Sequence, residues 1–444
     1  MPLSQSNRLE TILDEATQSL HIHPLNLFLQ SDFNESITIQ CSLLFLNKLD
    51  KFICKSLNQG NSPAACLAFT VIHKCGKNIK VPGGQGLSAL IAQGLVKKML
   101  QWFEKCRQLW VLGGSLRDEL LLNLAEDFFD ALMEVHESGN IGANKVTESF
   151  LYSIGHMAVD PQIYILIRKE AIRKFNLILD KSPMELKKDK KILRSQEAAD
   201  IMSKLASKIL DGGDYDFQTA LMEALCRMAT CEQRKQLADH WFTMEHVSKA
   251  FVKIRDSEFE TDCRKFLNMI NGMKGDKRSV FSYPCLEVYL GQNELLMPAD
   301  EKLEEFWIDF NIGSRSISFY FSLPDEVAQE GQWETICING TEVNSYTITE
   351  EGKKKVLKLD LSEVVVVGSV NGSTLTIHFS RGLDVLPVVQ KVFGLNKNMG
   401  FVKKTGTSVV KTTVKVIMDD NTSQIVPESQ LSLGGSDKML CPSR

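Results

Sequence analysis

The sequence predicts a multidomain protein, α then β, in which an armadillo-like α-solenoid precedes a pleckstrin-homology-like β-barrel domain with a C-terminal helix. Three patterns lead to this fold class: apolar residues recur at helical spacing up to about residue 290, they alternate with period two from about residue 300, and one amphipathic segment follows the last predicted strand. We expect domains at residues 1–290 and 300–395, followed by a basic, then Ser-rich and partly disordered tail at 396–444.

The first 290 residues read as a succession of amphipathic helices. Apolar residues occur at i, i+4, i+7, i+8 and i+11 within 217–228, and residues 121–135 show the same periodicity. Many helices with short connections and no heptad register favour stacked helical repeats over one compact bundle, although no clean repeat of roughly 40–47 residues is visible. Further helices are predicted at about residues 8–20, 41–57, 64–75, 87–104, 145–158, 162–180, 196–210, 234–254 and 258–273.

The second half reads as short antiparallel strands. Turn signals at Asn339-Gly340 and Asn371-Gly372 separate them, and the amphipathic segment 383–393 follows. Pleckstrin-homology domains consist of seven antiparallel strands followed by one C-terminal helix. We prefer that architecture to a plain β-sandwich, which would not need the helix. Trp307, in the first of these strands, is interpreted as a core residue. The strands are predicted at residues 306–310, 317–321, 333–338, 343–348, 355–361, 364–367 and 375–379.

Composition and charge exclude several classes of protein. Fifty-one Lys and Arg residues against 55 Asp and Glu residues give a net charge of -4, so the chain is not a uniformly basic nucleic-acid binder. No apolar run approaches the roughly 20 residues that span a bilayer, so no membrane association is expected. The first residues lack the features of a secretory signal, and the 11 scattered cysteines are typical of reduced thiols, which indicates the cytosol or nucleus.

No catalytic motif is recognisable. The sequence contains no His-Glu-x-x-His zinc motif, no Gly-x-Ser-x-Gly nucleophile motif and no P-loop, and the cysteines and histidines lack the spacing of metal ligands. We therefore expect no enzymatic activity, no catalytic or metal site and no cofactor.

Two lysine-rich segments are candidate partner-binding sites. Residues 181–194 have six basic residues against two acidic ones. Residues 395–418 contain no acidic residue at all. Each segment is either a solvated charged region or a contact to DNA, to histones or to an acidic protein. The candidate residues are Lys187, Lys188, Lys190, Lys191, Lys397, Lys403, Lys404, Lys411 and Lys415.

Ser-Gln dipeptides are in mild excess over chance. This dipeptide is preferred by DNA-damage kinases, and a phosphate would add negative charge close to the lysine-rich segments. Ser195, Ser423 and Ser429 are therefore candidate phosphorylation sites.

Several long strings resemble the N-terminal region of the synaptonemal complex protein 2 family, which includes the paralogue synaptonemal complex protein 2-like. The resemblance covers nearly the whole chain and leaves the choice of paralogue open. The strings are 74–81 (KCGKNIKV), 94–105 (GLVKKMLQWFEK), 223–228 (EALCRM), 256–268 (DSEFETDCRKFLN), 275–286 (GDKRSVFSYPCL), 300–314 (DEKLEEFWIDFNIGS) and 426–430 (VPESQ).

The resemblance implies an armadillo-repeat-like domain and a pleckstrin-homology-type domain similar to the middle domain of a histone-chaperone subunit. It also implies a structural role in the axial or lateral elements of meiotic chromosomes in the nucleus, with centromere or kinetochore proteins and chromosome-axis proteins as partners. Synaptonemal complex protein 3 is expected only through a C-terminal coiled coil, and this chain has no sustained heptads.

Two functional hypotheses follow. The first is a non-enzymatic scaffold of the meiotic chromosome axis that acts as a protein-interaction module and links to centromere proteins. The alternative is a module that binds histones or DNA directly through the lysines of the linker and the tail. The sequence leaves the oligomeric state open.

Overall fold

The computed structural model describes residues 8–19, 21–30, 37–182, 193–298, 300, 302–323 and 334–404. The first of its two domains is helical and extends to Met273. Its helices are α1 (Arg8–Ser19), α2 (His23–Leu29), α3 (Phe45–Asn58), α4 (Ser62–Cys75), α5 (Gly86–Ala92), α6 (Leu95–Gly113), α7 (Glu119–His136), α8 (Asn140–Ala158), α9 (Ile165–Lys181), α10 (Gln196–Ile209), α11 (Tyr215–Met228), α12 (Cys231–Trp241), α13 (Glu245–Val252) and α14 (Phe259–Met273).

Side-chain caps fix where several of these helices begin. Asp118 accepts hydrogen bonds from backbone N–H groups in the first turn of α7, and Asp214 does so for α11. Thr230 and Gln233 form a reciprocal capping box at the start of α12. Such caps satisfy N–H groups that lack a partner within the helix, so the connections can stay short.

Polar contacts between helices recur at a nearly constant sequence separation. Lys174 donates to Asp130 at 3.1 Å across 44 residues, Arg227 to Asp180 at 2.7 Å across 47, and Lys98 to Asp50 at 2.7 Å across 48. A constant offset is the signature of stacked repeats, in which each unit contacts the next. The predicted armadillo-like stacking is confirmed, and its period appears in the contacts although the sequence shows no clean repeat.

One continuous apolar core runs through the helical domain from Leu9 to Val280. Its centre is a group of aromatic rings in edge-to-face and tilted contact, with Trp110 and Phe103 of α6 beside Phe128 of α7. A small sheet of β1 (Ile39–Gln40), β2 (Ile79–Val81) and β3 (Gly84–Gln85), which the sequence did not predict, joins the loops near α4 and α5.

The second domain is built on a nine-stranded sheet. Its order is β12-β9-β10-β11-β4-β6-β7-β8, with β5 paired to β4; the pair β12 and β9 is parallel and the other pairs are antiparallel. The elements are β4 (Val280–Leu290), β5 (Asn293–Leu295), β6 (Phe306–Asn311), β7 (Ser316–Phe321), β8 (Glu334–Asn339), β9 (Val343–Glu351), β10 (Lys354–Val367), β11 (Val370–Ser380), α15 (Leu386–Phe393) and β12 (Asn398–Lys404).

The apolar face of α15 completes this domain's core. Val388, Val389, Val392 and Phe393 are buried together with the inward-facing residues of the strands, as the amphipathic pattern of this segment predicts. The predicted β-rich domain with a C-terminal helix is confirmed.

Some element boundaries differ from those expected. Residues 280–290 fall within the range expected for the helical domain, but they form β4 in the middle of the sheet, where residues 280–285 pair with β6. The predicted helix at 87–104 is divided at Gly94, whose φ of +98° suits glycine. The predicted helix at 234–254 is two helices, and the predicted strands at 355–361 and 364–367 are one strand with an irregularity after Asp360.

Candidate partner interface between the two domains

The two domains meet at a buried, polar surface that we call the seam. At its centre two glycine loops touch, where the N–H of Gly313 donates to the carbonyl oxygen of Gly213 at 2.8 Å. A Cβ atom on Gly313 would lie 2.8 Å from that same oxygen, closer than real Cβ contacts. The approach of the two backbones therefore requires glycine at this point.

An arginine of α14 holds an aspartate of β6 across the seam. Arg264 Nη1 and Nη2 donate to the two carboxylate oxygens of Asp309 at 2.6 and 2.9 Å, and Ser282 Oγ donates to Asp309 Oδ1 at 2.6 Å. The guanidinium also stacks on the ring of Tyr215 at 3.6 Å. Burial disfavours the charged guanidinium, but the Asp309 carboxylate outweighs it, so the pKa of Arg264 is raised. The bidentate geometry sets the mutual orientation of the two elements.

A buried lysine forms a second charged contact at the seam. Lys169 Nζ of α9 lies 3.2 Å from Asp214 and 2.8 Å from Asp216 at the start of α11. The β domain completes this group, since Ser314 Oγ donates to Asp214 at 2.6 Å and Tyr320 Oη donates to Asp216 at 3.2 Å. Burial raises the pKa of Asp214, but the Lys169 ammonium and the hydroxyl of Ser314 lower it more, so the carboxylate stays ionised.

Neutral groups complete the seam. Asn311 Oδ1 accepts from the backbone N–H of Tyr215 at 2.8 Å, while its amide nitrogen donates to Ser316 and Ser318. Because each of these buried groups has a partner on the facing element or beside it, the contact has one well-defined geometry.

A cleft of about 240 Å³ opens beside the seam, between α11, α14 and the β domain. The guanidinium of Arg264 lies at the cleft, and Thr219, Glu223 and Glu260 add polar groups. Aromatic side chains form five of its eleven lining residues, and they are Tyr215, Phe259, Phe306, Trp307 and Tyr320. A second depression adjoins the first and shares Arg264, Leu303 and Trp307 with it.

The structure corrects the interpretation of Trp307. The alternation of its strand suggested a core residue, but the ring is half-buried and lines both depressions. Its neighbours Phe306 and Ile308 are the buried residues.

Most of the lysines expected to bind a partner have side chains outside the part of the chain that the structure describes. Lys187, Lys188, Lys190, Lys191, Lys411 and Lys415 lie outside the described residues, as do Ser423 and Ser429. Lys403 and Lys404 end β12, and their side chains are likewise outside the description.

Lys397 has an internal role instead. Its ammonium donates to the carbonyl oxygens of Gly340 at 2.5 Å and Val343 at 2.6 Å. These bonds join the segment before β12 to the start of β9, so this lysine is engaged within the domain.

Ser195 lies at the start of α10. Its hydroxyl accepts from the N–H of Ala198 at 3.0 Å and lies 2.8 Å from the hydroxyl of Tyr152 in α8. The serine thus caps one helix and contacts another, and it remains a candidate phosphorylation site.

Sequence reasoning missed the charged residues of the seam, although two signals were present. Lys169 occupies a position of the apolar stripe of α9, four residues after Ile165 and three before Ile172. Asp309 interrupts the otherwise apolar run Phe306-Trp307-Ile308-Asp309-Phe310. A charged residue at a core position indicates a buried partner, but the sequence does not say which one.

Two kinds of site are absent from the described ranges. No group of three or more His, Cys, Asp or Glu side chains in these ranges could hold a metal ion. None of the described helices combines the length and the apolar character needed to cross a membrane.

Comparisons with known proteins identify relatives of both domains. Residues 8–186 match the family model of the synaptonemal complex 2 armadillo-repeat-like domain, and residues 280–395 match that of the synaptonemal complex 2 Spt16M-like domain. A solved structure of a synaptonemal complex protein aligns with a TM-score of 0.79 and 39% identity, over 90% of this chain and 100% of that one.

Full-length relatives extend the comparison. Synaptonemal complex protein 2 of Homo sapiens is 42% identical over 97% of this chain, which spans 28% of that protein. Synaptonemal complex protein 2-like of Mus musculus is 32% identical over 88% of this chain, which spans 45% of that protein. The chain thus covers less than half of the length of either relative.

Proposed function

Because the chain belongs to the synaptonemal complex protein 2 family, we propose that it is a non-enzymatic structural component of the meiotic chromosome axis. In this proposal the helical and β domains act together as one protein-interaction module, located on meiotic chromosomes in the nucleus. Its partners are proteins of the chromosome axis and, as a finer proposal, proteins of the centromere and kinetochore.

The observation that supports this proposal is the seam. Two domains that served only as independent tethers would not require a buried bidentate ion pair such as Arg264–Asp309 between them. A fixed relative orientation instead presents surfaces of both domains to a partner at once, which reduces the entropy lost on binding. Because a fold alone does not determine function, the proposal depends on the geometry of the seam as well as on the family.

Meiotic chromosome spreads test the proposal. We expect the tagged chain, produced in meiotic cells, to give a signal along chromosome axes or at centromeres. The substitution Gly313→Val, which places a side chain against the carbonyl of Gly213, should weaken that signal because it separates the domains. A diffuse nuclear signal from the unaltered chain would count against the proposal, and Glu148→Lys, an exposed change on α8, serves as the matched control.

Direct binding of DNA or histones is the second candidate function. The charge of the lysine-rich segments favours it, since residues 181–194 and the acid-free stretch of the tail concentrate positive charge in a chain with a net charge of -4. Lys397 contributes least to this candidate because its ammonium is already bonded to two carbonyl oxygens.

Salt dependence distinguishes this candidate from the scaffold. If about six cations contact phosphates, the affinity for duplex DNA should fall by roughly a thousandfold between 50 and 200 mM salt, because bound counterions are released. Replacing Lys187, Lys188, Lys190 and Lys191 by alanine should flatten this slope. No retardation of DNA at 50 mM salt would rule out the DNA version, and a separate titration with histones tests the other.

A further inference from the structure

We propose that the aromatic cleft beside the seam binds a segment of a partner protein in which one large apolar or aromatic side chain is flanked by lysine or arginine. This inference rests on the proposed function, because it assigns the chemistry of a protein partner to the interaction module. It concerns a site that combines residues of both domains.

The size and lining of the cleft favour a single apolar anchor. Its volume of about 240 Å³ lies below the 300–1,000 Å³ typical of sites for small-molecule ligands. Phe259 of α14 and Trp307 of β6 contribute half-buried rings to its lining. Interfaces between proteins commonly place one aromatic or large aliphatic side chain in such a pocket.

The positive charge in the cleft is not available to an anionic ligand. Both terminal nitrogens of Arg264 bond to Asp309, and the face of the guanidinium covers Tyr215. An acidic side chain entering the cleft would be desolvated without gaining a free cation. The wall therefore accepts apolar and neutral groups.

The rim carries an excess of negative charge. Glu260 lines the cleft itself, and Glu304 and Glu305 line the adjoining depression. All three side chains are exposed, and within the described part of the chain none of them forms an ion pair with another residue. Among the cations that line the two depressions, Lys302 is paired with Glu258 and Arg264 with Asp309. Lys265 is then the remaining cation to offset the three carboxylates.

The acidic rim favours a partner segment that carries basic residues on both sides of its apolar anchor. Lysine or arginine next to the anchor would lie close to these carboxylates, which supplies the charge complementarity that selects a partner. The exposed part of the Trp307 ring, which lines both depressions, can also contact a guanidinium or ammonium through its face.

Peptide display on the purified chain tests the inference. The probe is a phage library of random 12-residue peptides, selected on the full chain at 150 mM salt. We expect enriched peptides to share a Trp, Phe or Leu with Lys or Arg on both sides. Synthetic versions should bind at least tenfold more weakly to Trp307→Ala and to Glu260→Lys, and with unchanged affinity to the control Glu148→Lys.

Three outcomes would overturn the inference: no enrichment, enriched peptides that are acidic or lack an apolar anchor, and binding that both cleft variants retain. Glu260→Lys changes an exposed residue and guards against a folding defect in Trp307→Ala, and circular dichroism checks both variants. Axis localisation is measured in parallel. If the chain localises to chromosome axes but enriches no such peptide, only this inference fails. If it enriches the peptide but does not localise to axes, the proposed function fails.

Discussion

Asp309 is the residue on which the seam depends most, because it is fully buried and accepts hydrogen bonds from both Arg264 and Ser282. Asp309→Leu should lower the free energy of unfolding by about 3–5 kcal/mol, since it leaves the Arg264 guanidinium buried without its counter-ion. The double variant Arg264→Met, Asp309→Leu should regain much of that loss.

Urea denaturation of the two single variants and the double variant measures this coupling as a double-mutant cycle. Ser19→Ala, a change at the exposed end of α1, is a control that should alter stability by less than about 0.5 kcal/mol. If the losses of the single variants simply add in the double variant, the ion pair is not the coupling element.

His136 predicts a pH dependence of stability. Its ring is buried near the end of α7, neither ring nitrogen has a hydrogen-bond partner among the described residues, and burial lowers its pKa. A lowered pKa in the folded state means that stability is retained above the unfolded value of about 6.5 and declines as the pH falls through and below it.

We therefore expect His136→Phe to stabilise the chain more at pH 5.5 than at pH 7.5. Thermal unfolding at both pH values measures the difference, which should be largest at the lower pH because only the unfolded histidine gains a proton readily there. His21→Phe, at an exposed histidine, is the control for general effects of pH. An equal shift at both pH values would contradict the assignment to His136.

At the scale of elements, Ser195 decides how α10 begins. Ser195→Ala should lower the free energy of unfolding by about 1 kcal/mol, because the N–H of Ala198 loses its acceptor. Ser195→Asp should preserve most of the stability, since an aspartate caps as well and suits the positive end of the helix dipole.

Chemical denaturation of both variants beside Ser207→Ala, an exposed position on the same helix, gives the comparison. A loss in Ser195→Asp equal to that in Ser195→Ala would show that the contact with Tyr152, rather than the cap, carries the effect.

Elements with a strong period were predictable, and the contacts between them were not. The stripe Leu221, Ala224, Leu225 and Met228 predicts α11 because one face of a helix must be buried. The repeat stayed invisible because its contacts use different chemistry at each step, for example Lys174 with Asp130 but Asn176 with the carbonyl of Ala220. Constant geometry does not require constant residues.

The candidate site was the least predictable part. Asp309 and Lys169 are separated by 140 positions in the sequence and become neighbours of one surface only when the domains dock, so no local pattern identifies them as a group. The alternation of apolar and polar residues in a strand assigns each side chain to one face of the sheet. It does not show whether the second domain covers that face or leaves a cleft there, which is why the core assignment of Trp307 was wrong.

For the whole molecule, the contact between Gly213 and Gly313 is a point at which the backbones of the two domains touch. Gly313→Val should leave each core intact but disturb the seam, because the new side chain meets the backbone of the facing loop. Limited proteolysis should then cleave between the domains faster than in the unaltered chain, whereas Gly272→Ala, where a Cβ meets no atom within 4 Å, should not change the rate.

The central claim is that the two domains form one cooperative unit. The most direct test follows urea unfolding with one probe in each domain, helical circular dichroism for the first and a fluorophore attached at an azide-bearing unnatural amino acid on β11 for the second. We expect coincident transitions in the unaltered chain and separated transitions in Gly313→Val, whose new side chain disturbs the seam. Two separate transitions in the unaltered chain would contradict this claim, because independent domains need no such seam.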